Sequence, residues 1–297
     1  MSWILLSLLS ALFLGFYDVA KKSALNQNAV PAVLLCNVLV AATIWLPCLV
    51  LNGLNPDAVP LVLRMHSVGL HGHLLLAFKS CLVGISWTLA FFAIKHLPIS
   101  IATPIRSTSP FWTVIIAIGL FQERPSTGQA CGVLLILAAF VAFAFVGKRE
   151  GVLFHSDRWV GLMVLATLLG SLSAIYDKYL LQIAKINPAT VQAWFSVYLV
   201  PVMMPLWIWW WKKDRVKQPF TWRISIPMIA VCLLIADFSY FTALSNADAL
   251  ISVVSPLRRT SVLIPFLFGV LWMGEKSWLA KLACIIAILL GVYVISR

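Results

Sequence analysis

The chain is expected to be an all-α integral membrane protein, with ten transmembrane helices arranged as two inverted five-helix repeats. Its composition, the spacing of its apolar runs and an internal repeat lead to that expectation. Of 297 residues, 62% are hydrophobic and 11% charged, whereas a soluble domain carries about 45–50% and about 25%. Mean hydropathy is +0.97. Lys and Arg number 22 against 10 Asp and Glu, a formal net charge of +12. In a soluble protein that balance would point to nucleic acid. At this hydropathy it is read as a membrane-orientation signal, and a nucleic-acid partner, a disordered chain and a disulfide scaffold are excluded.

A membrane-crossing helix needs about 20 apolar residues, and the runs follow in order. Trp3–Ala20 has no basic stretch before it and no small-residue cleavage site, so it reads as a retained helix. Val30–Leu51 ends at Asn52-Gly53-Leu54-Asn55-Pro56. Leu74–Ile94 is followed by Pro98–Phe121, which Glu123-Arg124-Pro125 closes, and then by Gly128–Val146. The charged stretch from Gly147 separates these from Trp159–Leu181 and Ala189–Trp211. The polar stretch from Lys212 to Pro219 precedes Ile224–Leu244, Leu250–Met273 and Trp278–Ile295. Residues 1–147 thus form the first repeat, 148–158 a connecting loop and 159–297 the second, with no room for a soluble domain. The 6 cysteines fall inside predicted spans without CxxC spacing and read as small apolar packing residues. Trp209, Trp210 and Trp211 beside Lys212-Lys213 read as an interfacial anchor. His66, His71 and His73 are expected in a loop with Asp57 as the nearby carboxylate, and no metal site is read there.

The repeat is visible in the residues. Ile99–Ser109 reads ISIATPIRSTS and Ile251–Ser261 reads ISVVSPLRRTS, identical at six of eleven positions with an offset of 152. At that offset Glu123 lies over Glu275 and Arg124 over Lys276. Upstream the offset is 159, with Tyr17-Asp18 over Tyr176-Asp177 and Asn28 over Asn187. The difference fits a longer second-to-third loop in the first half. Five spans per half is an odd number, so the second half must start on the opposite side of the membrane. Such inverted repeats typify secondary transporters, with the substrate between them near the midplane.

Ionisable residues inside the spans cost at least about 2.5–3.5 kcal/mol each and are kept for function or for pairing. Arg106 lies roughly 12 Å into its helix, counted from Pro98 at 1.5 Å per residue, and Arg258 sits at the same depth after Leu250. A guanidinium suits capture of a carboxylate or phosphate; the alternative is an ion pair with Asp18 or Asp237. Ser100, Thr103 and Ser107 share one helical stripe, and Ser252, Ser255 and Arg259 share its counterpart. Arg259 is therefore assigned to a cavity, and Arg106 and Arg258 to paired positions. Trp87, Tyr198 and Tyr240 are the expected aromatic lining. Asp18, Asp177 and Asp237 are candidate proton carriers or ion-pair partners, with Lys21 and Lys178 as local partners of the first two. No motif for phosphate-loop, nucleophile-elbow or zinc-protease chemistry appears, and no cofactor is expected.

Ten spans, the duplication and these motifs together resemble the drug/metabolite transporter superfamily, in particular its EamA-like family. The resemblance rests on Pro98 to Pro110 ending at Gln122-Glu123-Arg124, and on Ile251 to Ser261 ending at Gly274-Glu275-Lys276. That family commonly closes these helices with Gly-Glu-Arg or Gly-Glu-Lys; the first half here has Gln122 in place of Gly. It often has an Arg early in the second helix, where Asn37 follows Pro31 here. The positions of Arg106, Arg258 and Arg259 are usually uncharged in that family; arginine or lysine in the ninth helix looks more like the phosphate-exchanging sugar translocators of the superfamily.

The resemblance implies a transporter and not an enzyme. The expected function is secondary active movement of a small polar metabolite, anionic or an amino acid, by alternating access. The partners are that small molecule and the bilayer, with a proton as candidate coupling ion; a monomer suffices. The alternatives are a lipid or lipid-linked sugar flippase on the same scaffold, a membrane-embedded enzyme, or a structural subunit. A multi-pass location in the cell membrane follows. Loops on the side of the amino terminus hold four basic residues (Arg64, Arg124, Lys185, Arg297), against twelve from Lys21 to Lys276 in the opposite loops. The positive-inside rule then places both termini outside the cytoplasm. A reporter fused at Arg297 is expected to read as external, and a cytoplasmic signal would reverse the orientation.

Overall fold

The computed structural model describes residues 3–97, 105–106, 108–147, 158–265, 268 and 278–296. Among these residues every regular element is helical. In chain order they are α1 (Trp3–Leu25), α2 (Val30–Leu54), α3 (Leu70–His96), α4 (Ser109–Phe121), α5 (Thr127–Gly147), α6 (Arg158–Lys178), α7 (Pro188–Lys213), α8 (Ser225–Leu244), α9 (Ile251–Arg259) and α10 (Trp278–Ser296). Six of them (α1, α2, α3, α7, α8, and α6 with its continuation to Ile183) are long and apolar enough to cross a membrane.

Helix starts follow local chemistry. The Asn187 side chain accepts from the Thr190 N–H at 2.9 Å, and Pro188 occupies the first turn of α7, where a missing N–H costs nothing. At the equivalent place Asn28 accepts from the N–H groups of Ala29 and Thr221, and donates to the carbonyls of Ala24 and Thr221. One asparagine thus ties the start of α2 to the approach to α8. The loop after α2 is fastened likewise: Asn52 exchanges two hydrogen bonds with Met65, and the Arg64 carbonyl accepts from Asn187. His71 and His73 stand in the first turn of α3 and not in the preceding loop.

Two expected spans are interrupted. α6 runs into a π-turn over Tyr179–Ile183, with the Ala184 N–H bonded to the Tyr179 carbonyl five residues back. The span from Leu250 gives way after Arg259 to a 3₁₀ turn over Thr260–Val262. Pro265 follows four residues after Ser261, and its missing N–H leaves that carbonyl without its helical donor. The expected stretch Pro98–Pro104 with Ser107, most of the 148–158 loop, and Glu275 lie outside the described residues.

Helices of the first five pack on helices of the last five. α1 packs on α8, α3 on α6, α2 on α7, α4 on α9 and α5 on α10. Exchanging each helix for the one five places along leaves this set of pairs unchanged. Side-chain contacts show the pairs to be antiparallel. The α2 start sits with Trp210 near the α7 end, and Trp45 near the α2 end sits with Ala189 at the α7 start. His96 stacks on Trp159, joining the α3 end to the α6 start. One end of the bundle therefore gathers the starts of α1, α3, α5, α7 and α9; it is termed the first end, and its opposite the second end.

Small residues bring the pairs close. In lipid no hydrophobic force drives helices together, so tight van der Waals contact holds them. A Cβ on Gly291 of α10 would lie 2.6 Å from Ile136 Cγ1 and 2.9 Å from the Gly132 carbonyl oxygen of α5. A Cβ on Gly15 of α1 would lie 2.5 Å from Ile264 Cβ and 2.9 Å from the Ser261 oxygen. That contact presses α1 onto the 3₁₀ interruption. Gly15→Val or Gly291→Val is expected to cost about 1–3 kcal/mol by overpacking, read as a lower unfolding midpoint in detergent. A change within experimental error at both would show that these contacts do not set the helix spacing.

Candidate functional site

A cavity of about 170 Å³ lies between the two sets of helices. α1, α3, α6, α8, α9 and the approach to α4 all contribute walls. Its lining mixes hydroxyls, aromatic rings and charges that a purely structural bundle would have little reason to gather. Several hydroxyls are already satisfied across helix contacts. Ser86 donates to the Ala166 carbonyl at 2.8 Å, and the Ser109 hydroxyl lies 3.1 Å from that of Ser171 on α6.

Three carboxylates organise the charges. Asp177 of α6 pairs with Lys79 of α3. The Lys79 ammonium also stands 4.6 Å from the Phe195 ring centroid and 4.8 Å from that of Phe241. Asp237 of α8 pairs with Arg258 of α9, whose Nε donates to Ser10 Oγ at 3.1 Å and whose guanidinium lies 4.3 Å over the Tyr240 ring. Asp18 of α1 takes Lys21 at 2.6 Å and Arg106 Nη1 at 3.4 Å. Each pair answers the cost of a charge in low dielectric by a partner plus further contacts.

Arg259 differs. It lines the cavity within electrostatic reach of Arg106, Arg258 and Asp18. Among the described residues no carboxylate lies within ion-pair distance of it. The Tyr240 hydroxyl, on the same cavity, is buried beside Asp177. The Arg259 guanidinium is thus left with unused hydrogen-bonding capacity. On the cavity or adjoining it, five cations (Lys21, Lys79, Arg106, Arg258, Arg259) face three carboxylates.

Exposure grades along the cavity. The Lys79 and Asp177 side chains, toward the first end, are 2% and 7% exposed. The Arg106 and Asp18 side chains, toward the second end, are 28% and 21% exposed. The charges toward the second end are thus the more exposed.

Most expected site residues meet here. Arg106, Arg258, Arg259, Trp87, Tyr240, Ser255, Asp177 and Asp237 line the cavity, and Asp18 adjoins it through Arg106. Ser107 lies outside the described residues. Tyr198 stands elsewhere: its hydroxyl pairs with His73 Nδ1 at 2.9 Å and its ring stacks on Trp194, toward the first end of α3 and α7. Asp177 does not pair with Lys178, because consecutive helix residues point about 100° apart; Lys178 instead meets Glu123. Lys79 was passed over in the sequence reading, although a lysine inside the Leu74–Ile94 run carries the same signal as the arginines.

An all-helical bundle with a charged, hydroxyl-lined cavity between two equivalent sets of helices is the architecture of a membrane transport protein. The family model of the EamA-like transporter family matches residues 1–145 and 157–297. A riboflavin transporter from Brucella anthropi is 26% identical over 260 residues, 85% of this chain and 83% of that protein. A solved crystal structure superimposes with a TM-score of 0.69 at 17% identity, covering 99% of this chain and 96% of its own, which shows a shared fold. The chain belongs to the EamA-like transporter family and is an integral membrane protein.

The buried pair gives a stability prediction. Lys79→Met leaves Asp177 uncompensated and is expected to cost about 3–5 kcal/mol, with most of the loss recovered when Asp177→Leu is added. Thermal unfolding of the two single variants and the double variant checks this. A double variant no more stable than the singles would show that the pair is not the compensating unit.

Proposed function

We propose that this protein is a secondary transporter of ten spans, built as two inverted five-helix repeats joined by residues 148–158. It moves a small polar metabolite across the cell membrane by alternating access, with both termini outside the cytoplasm. The two stretches matched by the family model, and the antiparallel pairing of each helix set with its equivalent, support the inverted arrangement. Such transporters hold their substrate near the midplane between repeats, and the cavity between the two sets of helices supports that assignment.

The observation that carries the reading is Arg259, a cation on the cavity with no carboxylate within ion-pair distance among the described residues. It is assigned to an anionic or strongly polar group of the substrate, with Arg106 beside it and Ser255 and Tyr240 as further polar contacts. Trp87 and Tyr240 offer flat apolar faces to a ring. The Brucella relative makes riboflavin a first ligand to test, beside organic anions and neutral amino acids. Asp237 or Asp18 is assigned as the coupling carboxylate, each facing an arginine of the cavity.

Transport is measured in proteoliposomes with riboflavin, its phosphate monoester, dicarboxylates and neutral amino acids. A charge-assisted hydrogen bond contributes about 1.5–3 kcal/mol, and 1.4 kcal/mol is about tenfold in affinity. Arg259→Ala is therefore expected to lower transport of the true substrate at least about tenfold, with Arg259→Lys intermediate. Full activity in both variants would remove Arg259 from the substrate site.

A further inference from the structure

Glu123, just beyond α4, makes contacts that the cavity does not explain. Its side chain is 2% exposed. One carboxylate oxygen accepts from the Ile251 N–H and the other from the Ser252 N–H, each at 2.9 Å. The Ser252 hydroxyl and the Lys178 ammonium complete the shell. The Lys178 ammonium also lies 4.9 Å from the Phe121 ring centroid. Ile251 and Ser252 open α9, so the carboxylate sits at the positive end of that helix and satisfies two of its orphan donors.

The backbone is bent to deliver this group. Gln122 closes α4 in the left-handed region at φ 51°, a conformation disfavoured for residues with a Cβ. Its side chain bonds back to the Gly119 carbonyl at 2.9 Å. The turn sends Glu123 across to α9 and α6 instead of onward along α4.

The location decides the role. α4 ends, α6 ends and α9 begins at the first end of the bundle. Asp177 and Lys178 are neighbours on α6; one grips α3 through Lys79 and the other grips Glu123. Four helices from both sets are thus bound together at that end, while the Arg106 and Asp18 side chains toward the second end are more exposed.

We infer that Glu123 is a positioning residue of the transport cycle, the latch that holds the first end closed by clamping α4 and α6 to the start of α9. The inference rests on the transporter reading for its purpose. Opening at the first end must withdraw Glu123 from the Ile251 and Ser252 amides and free Lys178. The latch belongs to one of the two access states, so its loss changes which face reaches the cavity.

The test is accessibility and not transport, so it reads the latch even if the proposed substrate is wrong. Ala174, on the cavity wall one turn before Lys178, is changed to Cys in a full-length chain whose native cysteines are replaced. A membrane-impermeant thiol reagent is then applied from either face. With Glu123 intact, labelling is expected from the second-end face. Glu123→Gln keeps the shape but loses the charge, and is expected to raise labelling from the first-end face at least about tenfold. It should also speed amide hydrogen exchange at Ile251 and Ser252. Ser252→Ala, which removes a single donor, should shift both readouts in the same direction by less, and it carries the test if Glu123→Gln does not fold. Unchanged first-end labelling with unchanged exchange would overturn the latch. A rise in labelling from both faces alike would show general loosening and overturn it too.

Discussion

The compensation of charge inside hydrocarbon is the constraint on which the rest of this structure depends. Hydrocarbon does not solvate an ammonium or carboxylate, so each must find a partner. Lys79 with Asp177, Arg258 with Asp237, and Lys21 and Arg106 with Asp18 meet that demand. All but the Lys21–Asp18 bond, which lies within α1, also fix one helix relative to another. The Lys79–Asp177 pair joins α3 to α6, and Arg258 joins α9 to α8 and, through Ser10, to α1. The same interactions that answer a desolvation cost thereby set the bundle's arrangement.

Two groups stand apart from these pairs. Among the described residues no carboxylate lies within ion-pair distance of Arg259, which lines the cavity; this is the ground on which it is proposed as a contact for the substrate. Glu123 is the opposite case, a carboxylate surrounded by four donors at the first end. The proposed capture and the proposed latch both draw on the cost of an uncompensated charge in low dielectric.

Much of the architecture was legible in the residues because membrane insertion writes itself locally. Apolar runs of helix length, proline and asparagine at their ends, and the ISIATPIRSTS repeat are short-range signals. They located eight of the helices to within a few residues and indicated the two halves; of the fourth and ninth spans only Ser109–Phe121 and Ile251–Arg259 are seen as α-helix. The arginines at 106, 258 and 259 stood out because a charge in an apolar run is costly wherever it ends up. Their partners were less legible. Lys79 and Asp177 are 98 residues apart, and the sequence reading gave Asp177 its neighbour Lys178, which geometry sends to Glu123. Tyr198 was expected at the cavity, but its hydroxyl is held by His73 toward the first end. The π-turn after Lys178 and the 3₁₀ turn after Arg259 were also missed, since both arise from how a carbonyl ladder is interrupted in three dimensions.

By itself, the sequence determined that this is a helical membrane protein of duplicated pattern with too many intramembrane cations for its acids. Hydropathy, spacing and charge are properties of the residues and survive without coordinates. Only the tertiary structure decided which charges neutralise one another, which cavity cation has no carboxylate beside it among the described residues, and that Glu123 meets the start of α9. Those outcomes depend on distances between helices far apart in the chain, and a linear pattern contains the groups but not the distances.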